Sequence, residues 1–130
     1  MLVVDASCLF EVVADTPRSR TIAERLASDT DHAAPEVIDV EVLGVIRAQY
    51  LRGALDETAA GQAVTDLRDW PGERLAHRWM LDRAWQLRGS VRGWDAFYVT
   101  LAEALDATLV TMDARLARAP GPRCRIEVLG

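Results

Sequence analysis

Lysine is absent from this sequence, and all fifteen of its basic residues are arginine. Asparagine is absent too and alanine is abundant, a combination that fits codon bias in a GC-rich genome. Whatever its origin, an all-arginine basic set favours bidentate contacts with phosphate or carboxylate. Cysteine is scarce. Cys8 and Cys124 lie near opposite ends of the chain with no CxxC or Cys/His spacing, so they read as small buried thiols in a reducing cytoplasm. His32 and His77 are too isolated in sequence to suggest zinc. No glycine-rich phosphate loop and no Ser/His/Asp arrangement is present. No apolar run is long enough to cross a bilayer. The N-terminal "MLVVDASCLFEVVADTP" has an aspartate inside its apolar stretch and no basic leader, so it does not read as a signal peptide.

The composition is that of a globular protein, with 50% hydrophobic and 27% charged residues. The expectation is a single domain over residues 1–130, long enough to bury a core without disulfides or structural metal. A net charge of −5 argues against a protein that grips nucleic acid by its overall electrostatics.

Short apolar runs alternate with helical patterns. "LVVD" and "TLVT" read as strands, "ERLAH" as a short strand and "CRIEVLG" as an edge strand. Helical periods follow in "ASCLFEVVAD", with Leu9, Val12 and Val13 on one side, and in "RSRTIAERLAS", with Ile22, Ala23 and Leu26 inward. Pro35 suits a first helical turn and Gly53 a C-terminal cap, which predicts a helix over about Glu36 to Arg52. "LDETAAGQAVTDLRDWPG" is a helix capped by Asp56 and stopped at Trp70-Pro71-Gly72, and "RWMLDRAWQLRG" is another. Strands separated by helices imply an α/β fold, a parallel sheet covered on both faces. Ligands in such folds gather at the carboxyl ends of the strands, where chain order reverses.

Four acids fall where that crevice should be. Asp5 ends the first strand and Asp113 follows "TLVT", while Asp95 opens the apolar helix "AFYVTLAEAL". Each also suits a helix N-cap, so each alone is ambiguous. Glu41 shares a helix face with Val37, Val45 and Ala48, a costly place for a carboxylate without an arginine, a proton or a metal unless it sits at the stripe's edge and reaches solvent. Clustered carboxylates raise one another's pKa unless a hard divalent cation holds them. Magnesium or manganese fits oxygen-only ligands, and its natural chemistry is phosphodiester hydrolysis.

The order Asp5, Glu41, Asp95, Asp113 resembles the acidic quartet of PIN-domain ribonucleases, and of the VapC-type toxins of bacterial toxin–antitoxin pairs in particular. The contexts "VVDAS", "PEVIDVEVLGVIR", "WDAFYVTLAEAL" and "LVTMDARLARA" carry the resemblance, which covers essentially the whole chain. It implies a three-layer α/β/α sandwich on a mainly parallel sheet of four to five short strands. It also implies Mg²⁺ or Mn²⁺ held by the quartet, with Glu41 a ligand or the group that orients and deprotonates water. The implied activity is endoribonucleolytic cleavage of tRNA or rRNA that stops translation. The implied setting is a cytoplasmic homodimer with a VapB-type antitoxin and no membrane association.

Carried over by position, Ser7 and Thr111 match supporting hydroxyls, with ordinary cap or strand-end roles as the alternative. Arg92 and Arg115 flank the third and fourth acids and could meet RNA phosphates, with solvated loop arginines as the alternative. Trp94 replaces a common tyrosine, and Asp106 stands where a helix-ending glycine is usual. Of the remaining tryptophans, Trp79 and Trp85 suit core, dimer or antitoxin contacts. A catalytically inert PIN-fold binding module is the alternative function. Receiver domains and haloacid-dehalogenase-like phosphatases fit less well, since the first want a lysine and the second an Asp-x-Asp after the first strand.

Overall fold

The computed structural model describes residues 1–130. Five strands form one sheet: β1 (Leu2–Val4), β2 (His32–Pro35), β3 (Glu73–Leu75), β4 (Thr108–Thr111) and β5 (Ile126–Val128). Their order is β3-β2-β1-β4-β5 and every pairing is parallel. The chain therefore builds outward from β1 in one direction, then restarts on its other side with β4. The crevice between β1 and β4 is the point where order reverses.

The helices are α1 (Ala6–Val13), α2 (Ser19–Ala27), α3 (Val37–Leu51), α4 (Glu57–Asp69), α5 (Leu81–Gln86), α6 (Asp95–Ala104) and α7 (Ala114–Arg118). Helix α1 packs against α2, α3 and α4, whereas α6 lies on β1, β2 and β4 with α5 against it. The central strands are buried on both faces, which is why Leu2-Val3-Val4 and Leu109-Val110 read as unbroken apolar runs.

Several sequence expectations need correction. The stretch His32–Pro35, where no strand is expected, is the interior strand β2, and Pro35 ends that strand instead of opening α3. The ladder resumes just beyond it, with the Glu36 amide donating to the Leu75 carbonyl at 2.8 Å. The predicted helix at residues 78–89 is one 3-10 turn (Arg78–Met80) followed by the short α5. Ala23 faces solvent, leaving Ile22 and Leu26 as the buried pair of α2. Trp79 and Trp85 are 53% and 66% exposed, so neither belongs to the core.

Other expectations match the structure. Gly53 follows the end of α3 at φ 79°, the left-handed conformation for which glycine is suited. Asp106 adopts the same region at φ 50° after α6, the local strain expected where a glycine is missing. The Asp56 side chain caps α4 by accepting from the Ala59 amide at 2.7 Å.

Arg74 on β3 fixes the helix that carries Glu41. Its guanidinium pairs with Asp39 of α3 at 2.9 Å and donates to the Leu67 and Trp70 carbonyls at the end of α4, each at 2.6 Å. It also lies 5.0 Å from the Trp70 ring centroid. Arg74→Ala leaves those carbonyls without this donor, so urea unfolding should show a loss of about 2–3 kcal/mol. An unchanged midpoint would show that water replaces the guanidinium at no cost.

Candidate active site

Asp5 and Asp113 come to the crevice on neighbouring strands. The Asp5 amide extends the sheet by donating to the Val110 carbonyl at 3.0 Å, and the residue is 5% exposed. Asp5 occupies the N-cap position of α1 but makes no capping bond with its side chain. Its Oδ2 instead accepts from Ser7 Oγ at 2.8 Å and Thr111 Oγ1 at 2.7 Å. The two hydroxyls lie 3.5 Å apart, and Ser7 Oγ and Thr111 Oγ1 also accept from the Met112 and Asp113 amides. This bracket ties the turn after β4 to the end of β1.

Asp113 caps α7 by accepting from the Arg115 amide at 2.9 Å, and Arg115 Nε reaches the same oxygen at 3.3 Å. Here the capping and the functional readings coexist. Asp95 is the first residue of α6 and has no capping role, because Trp94 occupies the cap position.

Glu41 lies on α3 along the face expected from its spacing, a face that starts at the buried Val37 and leaves the core beyond it. The buried stripe is Val37, Ile38, Val42 and Ile46, while Val45 is 38% exposed. Glu41, Gly44, Val45 and Ala48 instead form the wall of a cavity of about 680 Å³ whose lining includes Asp5, Asp95 and Asp113. All four predicted acids meet there, with Ser7, Arg92 and Trp94 also on its walls. Thr111 is buried behind Asp5, and Arg115 lines an adjoining cavity.

One contact was missed by sequence reasoning. Tyr98, fully buried on α6, donates its hydroxyl to Glu41 Oε1 at 2.8 Å. It stands three residues beyond Asp95, on the same helix face, so its spacing was a usable signal.

The electrostatics follow from burial. Desolvation raises the pKa of Asp5 against the hydrogen bonds from Thr111 and Ser7, with Asp113 adding repulsion. Desolvation also lifts Glu41 to about 7, opposed by Tyr98 and reinforced by Asp5 and Asp95. Asp95 rises to about 6, through burial first and then the charges of Asp5 and Asp113. Asp113 is held below the usual range, chiefly by the Arg115 amide. Cys8 behind Asp5 is pushed by burial up to about 12 and stays a thiol.

Asp5, Glu41 and Asp95 take part in no ion pair, whereas Asp113 has Arg115. Three carboxylates without a basic partner, set among oxygen donors, suit a hard divalent cation. As they stand, no three acidic side chains close on one point. The fit rests on the chemistry of the donor set.

Comparison with known proteins gives the family and the fold. A family model for the PIN domain matches residues 2–122. The chain is 36% identical over 129 residues to Ribonuclease VapC12 of Mycobacterium tuberculosis, covering 99% of each chain. It is 39% identical over 119 residues to Ribonuclease VapC3 of the same organism, covering 91% of this chain and 86% of that one. Among solved structures, VapBC2 from Rickettsia felis, bound to a DNA fragment from their promoter, gives a TM-score of 0.69 at 17% identity, over 99% of this chain and 98% of that one. FitAcB from Neisseria gonorrhoeae gives 0.66 at 15% identity, over 97% and 96%. At those identities the structural likeness speaks to the fold.

Proposed function

This chain belongs to the PIN domain family, similar over its length to VapC ribonucleases, and from that premise we propose that it is a metal-dependent endoribonuclease, the toxin of a toxin–antitoxin pair. The observation that carries the reading is the set of three carboxylates, buried or half-buried and without basic partners, gathered with Asp113 at the strand ends. Asp5, Asp95 and Asp113, with Glu41, would hold Mg²⁺ or Mn²⁺. A bound divalent cation supplies a Lewis acid that eases ionisation of water and offsets phosphate charge.

The rest belongs to the chain. Glu41 has Oε1 fixed by Tyr98 and leaves Oε2 for a water proton, and a pKa raised to about 7 suits that exchange. Water oxygen bonds to phosphorus while one ester P–O bond breaks, and the departing oxygen takes a proton from solvent. Ser7 and Thr111 keep Asp5 Oδ2 engaged and so leave Oδ1 toward the crevice. Arg92 and Arg115 meet backbone phosphates. The RNA would be tRNA or rRNA, and its cleavage would inhibit translation.

The VapBC2 structure supports one partner, a VapB-type antitoxin, and a second copy of the chain is the other partner of this reading. Two apolar patches open to solvent leave room for them: Val40, Leu43 and Val64 on α3 and α4, and Trp79, Leu81 and Trp85 around α5.

The test is incubation of purified protein with total cellular RNA across an Mn²⁺ series. Cleavage that appears with Mn²⁺ and disappears with chelator supports the reading. Indifference to Mn²⁺ would favour an inert PIN-fold module that works through antitoxin or RNA contacts.

Tyr98→Phe should separate positioning from packing, since it deletes one hydroxyl and keeps the buried ring. We expect a stability change of about 1 kcal/mol, and a cleavage rate about ten-fold lower with little change in KM. A raised KM at unchanged kcat would place Tyr98 outside the positioning of Glu41.

A further inference from the structure

We propose that the smaller cavity beside the carboxylates is a second phosphate subsite, in which Arg88, Arg92 and Arg115 hold the RNA phosphate next to the one being cleaved. The inference rests on the ribonuclease reading and adds Arg88, a residue to which sequence analysis gave no role. The cavity encloses about 260 Å³, and its walls include Arg88, Ser90, Arg92 and Arg115. Asp95 and Asp113 line this cavity and the larger one alike, so the two meet at the carboxylates.

An RNA backbone whose scissile phosphate lies against those acids has two ways out. Toward α1 and α3 the walls are Phe10, Glu11, Gly44, Val45 and Ala48, apolar or acidic groups that offer a phosphate no cation. Toward α5 it meets three guanidinium groups. In a protein of net charge −5, that concentration of arginine is local, and it sits where a neighbouring phosphate must go.

The arginines are also prepared for the role. Arg88 and Arg92 belong to no ion pair, so neither has to leave a carboxylate to take a phosphate. The Arg88 guanidinium lies 4.3 Å from the Trp85 ring centroid, and its Nη1 donates to the Trp85 carbonyl at 2.9 Å. This contact fixes the charge at the rim and leaves Nη2 and Nε without a protein acceptor. Arg115 engages Asp113 through Nε alone, which leaves both terminal nitrogens available. Ser90 donates to the Pro120 carbonyl at 2.6 Å and secures the loop that forms the cavity wall.

The test is a binding measurement that does not depend on cleavage. The Kd of a short single-stranded 2′-O-methyl oligoribonucleotide is followed by fluorescence anisotropy over a salt series in Mn²⁺. Wild type is compared with Arg88→Gln, Arg88→Lys and Arg20→Gln, Arg20 being an exposed arginine of α2 that lines neither cavity. Arg88→Gln should weaken binding and lower the slope of log Kd on log salt by about 0.7, the single-strand value for one phosphate contact. Arg88→Lys should keep the slope but bind about two- to three-fold more weakly, because an ammonium has no planar face to rest on Trp85. Arg20→Gln should match wild type.

An unchanged slope in Arg88→Gln, an equal loss in Arg20→Gln, or no salt-dependent binding by wild type would each overturn the subsite. A wild type that never cuts RNA while Arg88→Gln still loses slope would overturn the ribonuclease reading and uphold the phosphate site.

Discussion

Asp5→Asn should reduce Mn²⁺-dependent RNA cleavage by at least about a thousand-fold, a loss of about 4 kcal/mol of barrier lowering, while leaving the fold intact. The substitution is isosteric, and its amide oxygen can accept from Ser7 and Thr111 as Oδ2 of Asp5 does at 2.8 and 2.7 Å. What changes is the other atom. The crevice would receive an NH₂ donor in place of a charged acceptor, at the most buried of the four acids. Loss of activity with unchanged unfolding therefore marks a chemical requirement. Residual cleavage within ten-fold of wild type would remove Asp5 from the reaction.

Asp113 needs a different control, because it also caps α7. Serine is about as good an N-cap as aspartate, so Asp113→Ser retains the cap and deletes the carboxylate. It should fall with Asp5→Asn in activity and stay with wild type in thermal unfolding. If both activity and stability survive, capping was the whole role of Asp113.

The parts of this molecule legible in its sequence are those set by local rules. Strands β1 and β4 announce themselves as apolar runs ending in acids, and Asp56 and Gly53 mark helix ends by chemistry that acts within a few residues. Strand β2 does not, because His-Ala-Ala-Pro has little strand propensity of its own. Its conformation comes from pairing with β1 and β3 and from α6 lying over it, partners distant in sequence. The face of α3 that carries Glu41 is legible from spacing, but how far along it the core gives way to the crevice is not. Periodicity says which residues share a side, and only tertiary packing says whether that side meets the core or a crevice. Tyr98 and Arg88 escaped for related reasons: the hydroxyl matters only once Glu41 is opposite it, and the arginine only once its cavity joins the acids.

The metal-free protein should lose stability as pH rises from about 5 to 8, and saturating Mn²⁺ should reverse the trend. Glu41 has a folded pKa of about 7 against an ordinary 4.5, and Asp95 about 6 against 3.8. In that interval the native state binds more protons than the unfolded chain, so stability falls with increasing pH until both groups are ionised. The acids held below their ordinary values, Asp29, Glu103, Asp113 and Glu127, act in the opposite sense, but their windows close below about pH 4.5 and do not mask the effect. The shifts share one repulsion and both groups are partly solvated, so the combined penalty is about 2 kcal/mol, or about 5–10 °C in Tm. A divalent cation competes with those protons and binds the ionised carboxylates, so its stabilisation is largest where the metal-free protein is weakest. Thermal unfolding in chelator and in Mn²⁺, from pH 5 to 8, should give two curves that diverge as pH rises. Parallel curves would mean that the carboxylates do not hold the metal, and a chelator curve that climbs with pH would mean that burial does not raise their pKa values.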